Sequence, residues 1–126
     1  MAMRWFNKPK PQEIWEQPIA WPIGDIEAAH RIREICRAAA DIAAKISDRG
    51  GRNQPSEAER CERAARAAME IAMKIGDDLL RDSAVRQIID LCLMTDNQRA
   101  ARILFRAIRA PSIREEVLRD HPLLAE

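Results

Sequence analysis

Apolar residues recur three and four positions apart along most of this chain, and nothing else constrains its fold as strongly. Ile32, Ile35, Ala39, Ile42 and Ile46 follow spacings of 3, 4, 3 and 4, and so do Cys61, Ala64, Ala68, Ile71 and Ile75. Val85, Ile88, Ile89 and Cys92 make a third stripe, and Ala101, Leu104 and Ile108 a fourth. That spacing places each set on one face of a helix. The chain holds only two valines, one threonine and no tyrosine, so the residues that favour strands are scarce. The expected fold is all-α: about five helices in antiparallel hairpins, as a short superhelix or a bundle.

Helix boundaries follow from local signals. Asp25 is the expected N-cap of a first helix running to about Asp48, where Gly50-Gly51 ends it. Ser56 and Glu59 form a capping box for a second helix that continues to about Gly76. A third should begin near Asp77-Asp78 and end near Met94. Thr95-Asp96-Asn97-Gln98 starts a fourth, reaching about Arg109. Pro111 suits the first position of a fifth, Ser112 to about Asp120. At 126 residues one domain is expected. Residues 24–126 are its helical part, and residues 1–23 form a proline-punctuated arm with one helical turn between Gln12 and Gln17.

Parts of the chain echo each other. Asp41-Ile42-Ala43-Ala44-Lys45-Ile46-Ser47-Asp48 parallels Glu70-Ile71-Ala72-Met73-Lys74-Ile75-Gly76-Asp77 at an offset of 29 residues. At an offset of 33, Ala68, Ile71, Ile75, Arg81, Ala84 and Val85 fall on Ala101, Leu104, Ile108, Arg114, Val117 and Leu118. Periods near 30 are what stacked helical hairpins show. The run IGDDLLRDSAVRQIIDL, followed one period later by IRAPSIREEVL, resembles the helical-hairpin repeats of tetratricopeptide-like and HEAT-like superhelical families. The likeness covers roughly residues 38–120, without the Trp, Gly, Tyr and Ala positions of the tetratricopeptide pattern. It implies a protein-binding scaffold with no chemistry of its own. A plain bundle of ~30-residue hairpins fits the same periodicity.

Catalytic and metal-binding patterns are poorly represented. Glu27 and His30 make one E-x-x-H pair, with Glu34 a turn further on, but His121 has no glutamate three positions before it. A di-iron bundle needs two such pairs and two further glutamates. Cys36, Cys61 and Cys92 form no C-x-x-C pair and each lies in an apolar stripe, where a cysteine acts as a small hydrophobe. The four glycines make no phosphate-cradling loop. No catalytic residue, metal or cofactor is expected, and the chain is read as not an enzyme. No apolar run near the ~20 residues of a membrane span is present, nor one suited to a secretory signal, so a cytoplasmic location is expected by default.

Two features point to partners. Arg99, Arg102, Arg106 and Arg109 fall within about 80° of helical arc. No acidic residue lies between Asn97 and Arg114. Such a stripe suits phosphates or an acidic partner, or a solvated face paired with neighbouring carboxylates. The net charge of +1 argues against general attraction to polyanions. The second feature is the arm, which carries Trp5, Phe6, Trp15 and Trp21, leaving Phe105 as the one large aromatic after residue 23. Three readings are open. The tryptophans plug the chain's own alanine-lined helices; they anchor in another protein, a second copy included; or Arg4, Trp5, Phe6, Lys8 and Lys10 meet a membrane surface. The leading expectation is a protein–protein interaction module, with binding of nucleic acid through the arginines as the alternative.

Overall fold

The structure, a computed structural model, describes residues 12–48 and 55–125. Trp5, Phe6, Arg4, Lys8, Lys10 and the Gly50-Gly51 stop lie outside the described residues, as do the side chains of Ile46 and Ser56. Five α-helices follow one another: α1 Asp25–Asp48, α2 Pro55–Ala72, α3 Asp78–Met94, α4 Gln98–Ala107 and α5 Pro111–Asp120. Short 3₁₀ turns at Ile14–Glu16 and Pro122–Ala125 flank them, and no strand occurs among the described residues. The fold is a small all-helical bundle.

α3 is the hub, packing on α1, α2, α4 and α5. Its sequence explains the position. Ala84, Val85, Ile88, Ile89, Leu91 and Cys92 are all buried and span about 160° of helical arc, a broad face that can meet several neighbours. The flanking helices bury one stripe each: Ile32, Ile35 and Ala39 on α1, and Cys61, Ala64 and Ala68 on α2. These match the periodic residues, and Ile42 is half-buried beside them.

Helix ends depart from the local signals where tertiary contacts intervene. Asp25 does not serve as a simple cap. Its carboxylate accepts from the N–H groups of Gly76 (3.2 Å) and Asp77 (2.9 Å), so the start of α1 holds the turn between α2 and α3. α2 stops at Ala72, short of Gly76. Its backbone tightens to three-residue bonds, Lys74 N–H to Ile71 O and Ile75 N–H to Ala72 O, and this turns Ile75 into the core. Asp77 caps α3 through the Leu80 N–H at 2.9 Å, and Asn97 caps α4 through the Ala100 N–H at 3.2 Å. α3 closes with Asp96 at φ 59°; Asn97 N–H reaches Cys92 O at 2.8 Å and Asp96 N–H reaches Leu93 O at 3.1 Å, a Schellman closure.

The described part of the arm belongs to the core. Trp15 is 8% exposed, and Ile14, Ile19 and Ile23 pack against the same cluster. Arg60 of α2 grips Glu13 (Nη2 to Oε1, 2.6 Å) and lies over the Trp15 ring at 5.9 Å. Arg31 of α1 donates to the Gln17 carbonyl at 3.0 Å. Of the three arm readings, residues 12–23 follow the first.

Candidate functional site

An open groove runs between α2 and α4. Both helices pack on α3, but they do not pack closely on each other, so α3 is exposed along the gap as a floor. Ile88, Leu91 and Cys92 form that floor. Ala58, Glu62, Ala65, Arg66 and Met69 make the α2 wall; Ala100, Ile103 and Leu104 make the α4 wall. The turn Thr95-Asp96-Asn97 closes one end. The cavity holds about 560 Å³. Three of its wall residues are alanines, too short to meet across the gap. Ile103 stands on the rim at 58% exposure, an aliphatic side chain left largely uncovered by the described residues.

Two of the chain's cysteines, Cys61 and Cys92, line the groove. Its two cysteines are buried, and burial pushes the Cys92 thiol up to about 11 and raises the Cys61 thiol as well. Cys61 Sγ donates to the Ala39 carbonyl at 3.5 Å. A protonated, enclosed thiol is a poor nucleophile. Among the described residues no group of three or more His, Cys, Asp or Glu is placed to hold a metal ion. His30 pairs on the surface with Glu34 at 2.6 Å, and His121 with Asp90 at 3.0 Å.

The arginine stripe sits on the outer side of α4, next to the groove, and it is shorter than its spacing suggests. Arg99 and Arg106 are exposed, and Arg102 is half-buried with its Nε sealed from solvent and unbonded. Arg109 is not on the helix, which corrects the four-residue arc. α4 ends at Ala107, and Ile108 is extended at φ −73°, ψ 125°. Five contacts hold that end. Arg114 stacks over Phe105 at 4.4 Å and donates to the carbonyls of Phe105 (3.3 Å) and Ile108 (3.0 Å). Asp82 accepts from the N–H groups of Arg109 (3.0 Å) and Ala110 (2.8 Å). Pro111 also biases Ala110 away from the helical region. Among the described residues no carboxylate lies within ion-pair distance of Arg99, Arg102, Arg106 or Arg109.

Of the tryptophans in the described region, Trp15 serves the chain's own core and is not available as an anchor for a partner. Trp21 is 40% exposed, with Lys74 Nζ 4.3 Å from its ring centre. It borders a smaller cavity of about 170 Å³ with Trp15, Ile19 and Ile71. The described part of the arm packs on α1 and α2, whereas the arginine stripe lies on α4. Sequence reasoning missed the groove, and it missed Asp82, a buried carboxylate in the same stripe as Val85 and Ile89. An acid three positions before Val85 was the available signal.

The class these features define is a five-helix bundle with an uncovered apolar groove. The chain matches no protein-family model, and neither curated proteins nor solved structures contain a chain similar to it. No helix among the described residues is long and apolar enough to cross a membrane.

Proposed function

We propose that this chain is a non-enzymatic protein-interaction module, a small helical adaptor or self-assembling scaffold that works through the α2–α4 groove. One observation carries the reading: a 560 Å³ groove with an apolar floor stays open between α2 and α4, with Ile103 exposed on its rim. Apolar grooves between helices are what amphipathic helices dock into. The superhelical-repeat form of this scaffold rests on the sequence offsets of 29 and 33 residues alone. The test is affinity capture with the wild-type chain and with Ile103→Glu, each checked for helicity by circular dichroism. A partner, or a second copy, held by the wild type and lost from the variant is the expected result. Partners that all persist on Ile103→Glu would end the groove as the interface.

A second reading, a nucleic-acid-associated regulator, is favoured by the unpaired arginines of α4. It predicts binding to RNA or DNA that weakens with salt and with Arg99→Glu/Arg106→Glu. No retention at low salt removes it.

A further inference from the structure

The two walls of the groove differ in charge, and that difference names a class of occupant. On the α2 wall, Glu62 and Arg66 pair with each other at 3.3 Å, so that rim is electrically closed. Outside the α4 wall, Arg99 and Arg106 lie four residues before and three after Ile103, on adjoining positions of the helix surface, while Asp96 closes the end of the groove. Both are exposed, and neither meets a carboxylate among the described residues. The groove is thus apolar at its floor, neutral on the α2 edge, acidic only at the end that Asp96 closes, and bordered beyond Ile103 by two unpaired cations.

Its length is set by α2. From Ala58 to Met69 the helix rises roughly 16 Å, about three turns. A matching helix would present apolar side chains at i, i+3 or i+4, and i+7 to Ile88, Leu91 and Ile103. We infer that the groove binds a short amphipathic helix of another protein whose one edge, the edge facing α4, carries Asp or Glu. The inference rests on the proposed function above and specifies its partner.

The chain's own first eleven residues are the obvious competitor, because they lead into Glu13, which Arg60 holds on the flank of α2 opposite the groove. Their chemistry argues against them. Residues 1–11 carry Arg4, Lys8 and Lys10 and no acid, the same sign as the α4 rim. Pro9 and Pro11 also interrupt a helix there.

The test selects from a displayed library of random 14-residue helical peptides against the full chain. Selected peptides are then measured by fluorescence anisotropy. The expected result is peptides with an apolar i, i+3/i+4, i+7 ridge and at least two carboxylates along one edge. Ile103→Glu should weaken them about tenfold or more, as loss of a central apolar contact does. The double variant Arg99→Glu/Arg106→Glu should weaken them about fivefold, and exchanging the peptide carboxylates for lysine should restore binding to that variant. Both positions are exposed, and circular dichroism checks the fold. Peptides that need Ile103 but ignore the arginine reversal, or lack an acidic edge, overturn this inference and leave the groove reading standing. No Ile103-dependent peptide from the wild type overturns both. Selection that succeeds only in a full-length Trp5→Ala/Phe6→Ala chain assigns the groove to the protein's own arm and overturns the inference as well.

Discussion

Asp82 is the buried group whose removal should cost most for its size. It is 1% exposed, and one oxygen accepts from two consecutive backbone N–H groups, Arg109 at 3.0 Å and Ala110 at 2.8 Å. Those bonds tie α3 to the corner where α4 gives way to α5. A hydrogen bond to a carboxylate contributes about 1.5–3 kcal/mol, and a buried N–H left unbonded costs about 1–3 kcal/mol. Arg109 is exposed, so water can replace its bond, whereas Ala110 is half-buried and loses more. Against this stands relief for the other Asp82 oxygen, which has no hydrogen-bond partner and lies 3.7 Å from Arg81 Nε. The net loss for Asp82→Ala is about 2–4 kcal/mol, a large part of the ~5–15 kcal/mol of a typical domain. Asp82→Asn keeps an acceptor in the same volume and should lose no more than about 1 kcal/mol. Urea titrations followed by far-ultraviolet circular dichroism give both values, and amide exchange at Arg109 and Ala110 should accelerate in the alanine variant only. A loss below about 0.5 kcal/mol for Asp82→Ala, or equal losses for Ala and Asn, would refute the reasoning.

Two further outcomes follow from the core. Trp15→Ala should destabilise the bundle by about 3–5 kcal/mol, while Trp15→Phe should cost far less, because it keeps the ring and removes a buried indole N–H that has no partner; urea midpoints of the two variants check this. Burial, with smaller contributions from Cys92 and Asp90, pushes the Cys36 thiol from 9.0 to about 12, and burial pushes Cys92 to about 11. Below pH 9 both thiols keep their protons in both states; above it only the unfolded chain releases them, so stability should fall as pH rises from 9 towards 11, by up to about 1.4 kcal/mol per pH unit for each thiol. Burial raises the Cys61 thiol as well and adds to the same fall, and Cys36→Ala should reduce the slope of urea midpoint against pH.

Much of the fold was legible because burying a helix needs a stripe, and a stripe leaves a period. Ile32, Ile35 and Ala39, or Cys61, Ala64 and Ala68, could be placed inward from spacing alone. Helix ends were less legible, since the group that decides them is often distant in sequence. Asp25 carries every mark of a cap for its own helix, yet its carboxylate lies on Gly76 and Asp77, 51 and 52 residues away. The last turn expected at Arg109 is unwound by Asp82 and Arg114, from two other helices. The groove was not legible at all. Ala58, Ala65 and Ala100 look like the core alanines Ala64, Ala68 and Ala101. Periodicity says which face of a helix is apolar, but not which two helices fail to meet.

α2 shows why the same chain has both a filled surface and an open one. Its central stripe, Cys61, Ala64, Ala68 and Ala72, is buried in the bundle. One flank, with Arg60, Ala67 and Ile71, is covered by Trp15 and the rest of the described arm. The opposite flank, with Ala58, Ala65 and Met69, faces the groove. Both flanks are lined by small side chains that cannot reach a neighbouring helix, so each leaves a trough that bulk from outside the bundle must fill. On the first flank a tryptophan from the same chain supplies that bulk, and Glu13 meets Arg60 at its edge. On the second, no described ring fills the trough; Ile103 stands exposed across the gap, and beyond it Arg99 and Arg106 meet no carboxylate among the described residues. An occupant that brings an apolar ridge and a carboxylate would complete the second flank by the same physics that completes the first.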